Sequence, residues 1–164
     1  MAVALAAACA LVASASTAEA ALVFSREDGT AITFPGKTRV WCGPWEEDVA
    51  VPAIHVFAGR LRHPQHHWQL SAVRRDVAPG TRLPFPLDFV FDHPRGAQIF
   101  AADMPNEAST AEEEASGSMT FTRTSCRRGG VVAFSIDAVL GSEFIDGEEI
   151  HVTGTFRGRV GHAP

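Results

Sequence analysis

Apolar and polar residues alternate over most of the chain after residue 20, and the pattern is cleanest near the C-terminal end. Val132, Phe134, Ile136, Ala138 and Leu140 share one parity, with Ser135 and Asp137 on the other. A break containing Gly141 and Asp146-Gly147 follows. Then Ile150, Val152 and Phe156 alternate with His151, Thr153, Thr155 and Arg157. In a strand, successive side chains point to opposite faces. Two period-two runs around a glycine-containing break therefore predict a β-hairpin with one buried face.

Shorter runs at 32–34, 39–42, 53–58, 68–73 and 119–125 predict further strands. A second hairpin is expected between 87–91 and 97–101, turning through His93-Pro94-Arg95-Gly96, where Pro and Gly suit a tight turn. In 119–125, Met119, Phe121 and Arg123 alternate with Thr120, Thr122 and Thr124, a β-branched polar face suited to solvent. Helical signal is confined to 106–115, where Ser109 or Thr110 precedes Glu112-Glu113-Glu114. No apolar stripe runs through it, so it reads as a polar loop with at most one helical turn. Pro79, Pro84 and Pro86 mark an extended crossover, because proline cannot join a central ladder. The expected fold is all-β, an antiparallel β-sandwich, with a small β-barrel as the alternative.

The N-terminal end has a different texture. An uncharged Ala-, Val- and Leu-rich run is followed by small residues ending in Ala18-Glu19-Ala20. This fits a secretory signal peptide over 1–20 with an A-x-A-like cleavage site, although the usual basic n-region is missing. The expected organisation is thus a signal segment and one β-sandwich domain over 21–164. Glu19 ends the apolar run before it reaches the twenty or so residues of a transmembrane helix. A competing arrangement places a lipid on Cys9, with the small-residue stretch behind it as a tether to the membrane surface. The expected location is secreted, periplasmic or cell-surface.

Composition narrows the field. The 164 residues are 46% hydrophobic and 20% charged, ordinary for a folded domain. The formal charge of −5 becomes −4 once Glu19 is removed, so nucleic acid is not an expected partner. Two cysteines remain beyond the leader, Cys42 and Cys126, and in an exported chain they read as one disulfide. Closing so long a loop stabilises a fold by about 4–5 kcal/mol in the chain-entropy treatment.

Several strings carry candidate chemistry. Trp41-Cys42-Gly43-Pro44 resembles the first four residues of the thioredoxin redox motif. Trp45 stands where that motif has its resolving cysteine, so Cys42 is read as structural. His63, His66 and His67 form the densest set of metal-type ligands, suited by chemistry to zinc or copper. In a strand His66 and His67 point to opposite faces, which works against a shared site. His55, His93 and His151 join only if the fold brings them near. Acidic residues crowd Glu143, Asp146, Glu148 and Glu149, with Glu112–Glu114 as a second group and Asp88 and Asp92 as a third. Such groups can serve glycoside hydrolysis or hold Ca²⁺ when they face one another. Arg127-Arg128 is a basic turn able to meet an acidic polymer. No nucleophile elbow or phosphate-binding loop is present. Among the tryptophans, which can stack on sugar rings, Trp68 shares parity with Leu70 and Ala72 and is assigned to the core. Trp45, beside Gly43-Pro44, is the one expected at the surface and is the candidate ligand-binding residue.

The expectation from sequence is an exported, non-enzymatic binding or structural module of the cell envelope or exterior, with no cofactor. Its rival is a metal-dependent or hydrolytic secreted enzyme that combines His63, His66 and His67 with carboxylates from the hairpin ends.

Overall fold

A computed structural model describes residues 21–46, 50–60, 63–87, 94–144 and 147–163. The strands are β1 (Ala21–Arg26), β2 (Ala31–Ile32), β3 (Lys37–Pro44), β4 (Pro52–Arg60), β5 (His63–Val73), β6 (Arg82–Pro84), β7 (Ala97–Asp103), β8 (Asn106–Ser109), β9 (Ser116–Thr124), β10 (Val131–Ser142) and β11 (Ile150–Arg159). No helix occurs among the described residues, and every strand pair is antiparallel.

The strands form one curled sheet in the order β2-β1-β11-β10-β8-β7-β5-β4-β3, with β9 on β10 and β6 on β9. Strand β10 is the fork. Val132 to Val139 pair with β9, and Gly141 and Ser142 pair with β8. Strand β3, at one end of this order, meets the segment after β11, where the Gly161 N–H donates to the Val40 carbonyl at 2.8 Å.

The alternating residues supply the interior. Ile54, Val56, Leu70, Ile99, Met119, Phe121, Phe134, Leu140, Ile150 and Val152 are all essentially inaccessible. A run of aromatic rings crosses this core: Phe24 against Trp68 at 5.7 Å, Trp68 edge-on to Phe156 at 5.8 Å, Phe156 stacked on Phe134 at 5.0 Å, and Phe134 beside Phe121 at 5.6 Å. The Cys42–Cys126 disulfide is formed, its Cα atoms 5.8 Å apart, and ties β3 to the turn after β9. A disulfide fits an oxidising compartment. Among the described residues no helix is long and apolar enough to cross a membrane.

The C-terminal hairpin of β10 and β11 stands as the alternation predicts. The other expected hairpin lies largely outside the described residues. Its second half is β7, whose ladder partners are β5 and β8. Two expectations are corrected. Residues 106–109 form a strand, not a polar loop. Ser109 and Thr110 are buried at its end, where the Ile99 N–H donates to Thr110 Oγ1 at 3.0 Å. Arg123 does not share a face with Phe121. A β-bulge shifts the register between Ala133 and Phe134, so that Phe121 faces Phe134 while Arg123 faces Ala133 and is exposed.

Candidate functional site

Among the described residues, three places gather chemistry-bearing side chains. The first closes one end of the core. His66 shares parity with Trp68 and Leu70, Asp103 with Ala101 and Ile99, and Arg26 with Phe24, so the three polar side chains continue core-facing rows past the last apolar residue. Asp103 is buried and uses both carboxylate oxygens. Oδ1 accepts from His66 Nδ1 at 2.9 Å, and Oδ2 is engaged by the Arg26 guanidinium. Arg26 also lies 3.7 Å from Glu148, which accepts from the Asn106 amide at 3.3 Å. The half-exposed imidazole is thus oriented through Nδ1 by a carboxylate.

The second place adjoins it. Glu27, Glu112, Glu114, Glu143 and Glu149 line an open cleft of about 380 Å³ with Ser142, Phe144 and Gly147. The pairing of β8 with the end of β10 brings the two acidic stretches together. The Glu143 carboxyl is held above its ordinary range by partial burial and by the neighbouring charges of Glu112 and Glu107.

The third is the outer face of β3, β4, β5 and β7. Register places three rows on this face. Lys37, Gly59, His67 and Ala102 form one. Arg39, Phe57, Gln69 and Phe100 form the next, and Trp41, His55, Ser71 and Gln98 the third. Trp41 stacks on His55 with centroids 5.1 Å apart and planes within 19°. His67 stacks on Phe57 at 5.3 Å and meets Phe100 at 5.5 Å. The Pro44 carbonyl can only accept, so His55 Nε2 donates to it at 2.8 Å. That leaves Nδ1 as the acceptor for the Ser71 hydroxyl at 3.1 Å. Burial lowers the His55 pKa below its ordinary value, only partly offset by the Pro44 carbonyl.

The residues singled out by sequence fall differently among these places. Trp45 is not at the surface. It is 6% exposed and packs with Val51, Ala53 and Val73 in a small second core, because the chain folds back after the Gly43-Pro44 turn and its N–H donates to the Val51 carbonyl at 2.8 Å. Trp68 is in the core as its parity predicts, and Trp41 is the tryptophan that remains partly exposed. His66 and His67 point to opposite faces, one toward Asp103 and the other between Phe57 and Phe100. His63 begins β5, and its side chain, like Cys9, Asp88, Asp92, His93 and Asp146, lies outside the described residues. His151 is exposed on the far side of the sheet, paired with Val139. Among the described residues no three His, Cys, Asp or Glu side chains are grouped as a metal site. Sequence reasoning missed Arg26 and Asp103 entirely. Parity was the available signal, since each is a charged residue continuing an apolar row. No family model, curated protein or solved structure matches this chain.

Proposed function

We propose that this chain is an exported, non-enzymatic binding module that meets its ligand with the outer face of β3, β4, β5 and β7. The observation that carries the reading is the contrast between the two outer faces. The β9–β10–β11 side presents Thr120, Thr122, Thr153, Thr155 and Arg157, an ordinary solvated surface. The β3–β7 side presents partly exposed rings among amides, a hydroxyl and imidazoles. In fold terms we read the curled sheet as a β-sandwich, its layers β2-β1-β11-β10-β9-β6 and β8-β7-β5-β4-β3 joined through β10. Export is supported by the disulfide and by the small-residue string Ala18-Glu19-Ala20 after an apolar run. Cleavage before Ala21 gives a free chain, whereas lipidation at Cys9 adds a tether. The intact mass of the protein from its own host separates the two. The binding reading is tested by co-sedimentation with isolated cell-surface material from that host. The wild type is expected in the pellet and a folded Trp41→Ala/Gln69→Ala variant in the supernatant; equal pelleting of both contradicts it.

A second reading, a secreted hydrolase, is favoured by the acidic cleft. Glu143, with its raised pKa, is suited to donate a proton in a cleft that holds further carboxylates, the pairing that glycoside hydrolysis needs. Release of nitrophenol from a panel of nitrophenyl glycosides, abolished by Glu143→Gln, establishes it; no release by the folded wild type ends it. Its metal-dependent form, zinc or copper on His63, His66 and His67, draws no support from β5, which turns His66 and His67 to opposite faces, and requires calorimetric binding tighter than about 10 µM.

A further inference from the structure

We propose that the outer face of β3, β4, β5 and β7 binds an acidic polysaccharide, a chain of sugars bearing carboxylates. This rests on the binding-module reading above and gives that surface its ligand class.

Neighbouring strands lie about 4.8 Å apart. Trp41 and His55 come from adjacent strands, as do Phe57 and His67, and each pair stacks nearly parallel at about that spacing, 5.1 and 5.3 Å between centroids. Stacking covers a face of each ring: Trp41 against the buried His55 directly opposite it, and Phe57 against His67 on the diagonal, with Phe100 beside His67. The partly exposed remainder of Trp41, Phe57, Phe100 and His67 includes their edges. An aromatic edge is the positive part of the ring quadrupole, so it favours oxygen-rich, anionic groups over an apolar surface laid flat.

Charge on the same face points the same way. Lys37 and Arg39 project from edge strand β3 in the rows that contain His67 and Phe57, and both are exposed. The carboxylate in register with these rows, Glu107, lies across the sheet beyond Ala102, on β8. Gln69, exposed at the centre, adds an amide that can donate and accept. A flat array of cations, ring edges and amides, several strands wide, matches a repeating polymer of hydroxyls and carboxylates better than a compact ligand, which needs a concave pocket. The acidic cleft adjoins the β8 side of this face, where the Glu143 N–H donates to the Glu107 carbonyl, so negative charge gathers at that side and the cations at the β3 edge, where the polymer's carboxylates would sit.

Affinity gel electrophoresis of the folded, disulfide-closed protein tests this, with polygalacturonate, neutral dextran or duplex DNA cast in the gel. Polygalacturonate is expected to retard the protein, and about 0.5 M salt to abolish the effect. Lys37→Gln/Arg39→Gln removes two exposed side chains from an edge strand, so the fold survives, and affinity should fall about tenfold. Retardation unchanged in that variant overturns the proposal, because binding is then elsewhere. Equal retardation by DNA overturns it in favour of an unselective polyanion surface. Retardation by dextran alone, lost in Trp41→Ala, overturns the acidic class but leaves the binding module standing. No retardation in any gel also overturns it, and co-sedimentation with host surface material then decides whether the module reading survives.

Discussion

Asp103 sits where an apolar row runs out, and its carboxylate holds the Arg26 guanidinium and the His66 imidazole at once. Removing it takes away the acceptor of His66 Nδ1 and leaves Arg26 with the more distant Glu148 at 3.7 Å. Both partners keep substantial solvent contact, so the cost is below that of a fully buried pair. Asp103→Ala is expected to lower unfolding stability by about 1–2 kcal/mol in urea titrations, and His66→Ala by less. A second consequence concerns acid. The folded state holds His55 with a pKa below its ordinary 6.5, so above that pH both folded and unfolded forms are neutral and stability is complete. As pH falls below 6.5 the unfolded chain takes the proton first, and stability declines until the folded imidazole is protonated too. Glu143 works in the opposite sense at lower pH, since its raised pKa makes the folded state the better proton binder. The difference in unfolding free energy between wild type and His55→Gln should therefore shrink from pH 7.5 to 5.5; a constant difference rules this account of His55 out. Parity alone marked Trp68 as core. Trp45 escaped because its burial depends on a turn that brings Val51 back over it, which no local period encodes.

Strands were legible wherever alternation ran for several residues, as in β10 and β11. Those fixed by pairing rather than by pattern were not, such as the short β6 and β8. The β9 bulge shows the limit well: one extra residue at Thr122, whose hydroxyl donates to the Ala133 carbonyl at 3.2 Å, reverses the faces beyond it. Gly117 marks a second constraint on this pair. It has φ near +95°, and a Cβ there would fall 2.2 Å from the Asp137 carbonyl oxygen on β10. Gly117→Ala is expected to cost about 1–3 kcal/mol, visible as a lower denaturation midpoint. The disulfide was legible from cysteine count alone, and it closes a separation of 84 residues. Cys42→Ser should lose about 4–5 kcal/mol, a fall in Tm of roughly 10 °C or more by calorimetry under oxidising conditions. Equal melting temperatures contradict a stabilising role.

Across the whole molecule, strand pairing sorts charge in a way the linear sequence conceals. Arg26 meets Ile150 and His66 meets Asp103 at one pole, where Glu27, Glu143 and Glu149 also gather. Val131 meets Arg159 at the other, beside Arg127 and Arg128. Arg26 and Asp103 are 77 residues apart, and period-two patterning carries no information about such partners. It also separates inside from outside without saying which outer surface will hold rings beside cations. That surface is the centre of the functional account, and the three tryptophans report on it separately. Trp68 and Trp45 are 4% and 6% exposed, one in each core, while Trp41 stands on the outer face. The most direct measurement is therefore a two-dimensional ¹H–¹⁵N spectrum of the three indole N–H groups during titration with soluble oligogalacturonate. The account predicts that the Trp41 signal moves in a saturable way while those of Trp45 and Trp68 stay in place. Movement confined to a buried indole, or a Trp41 signal that ignores every added glycan, would contradict it.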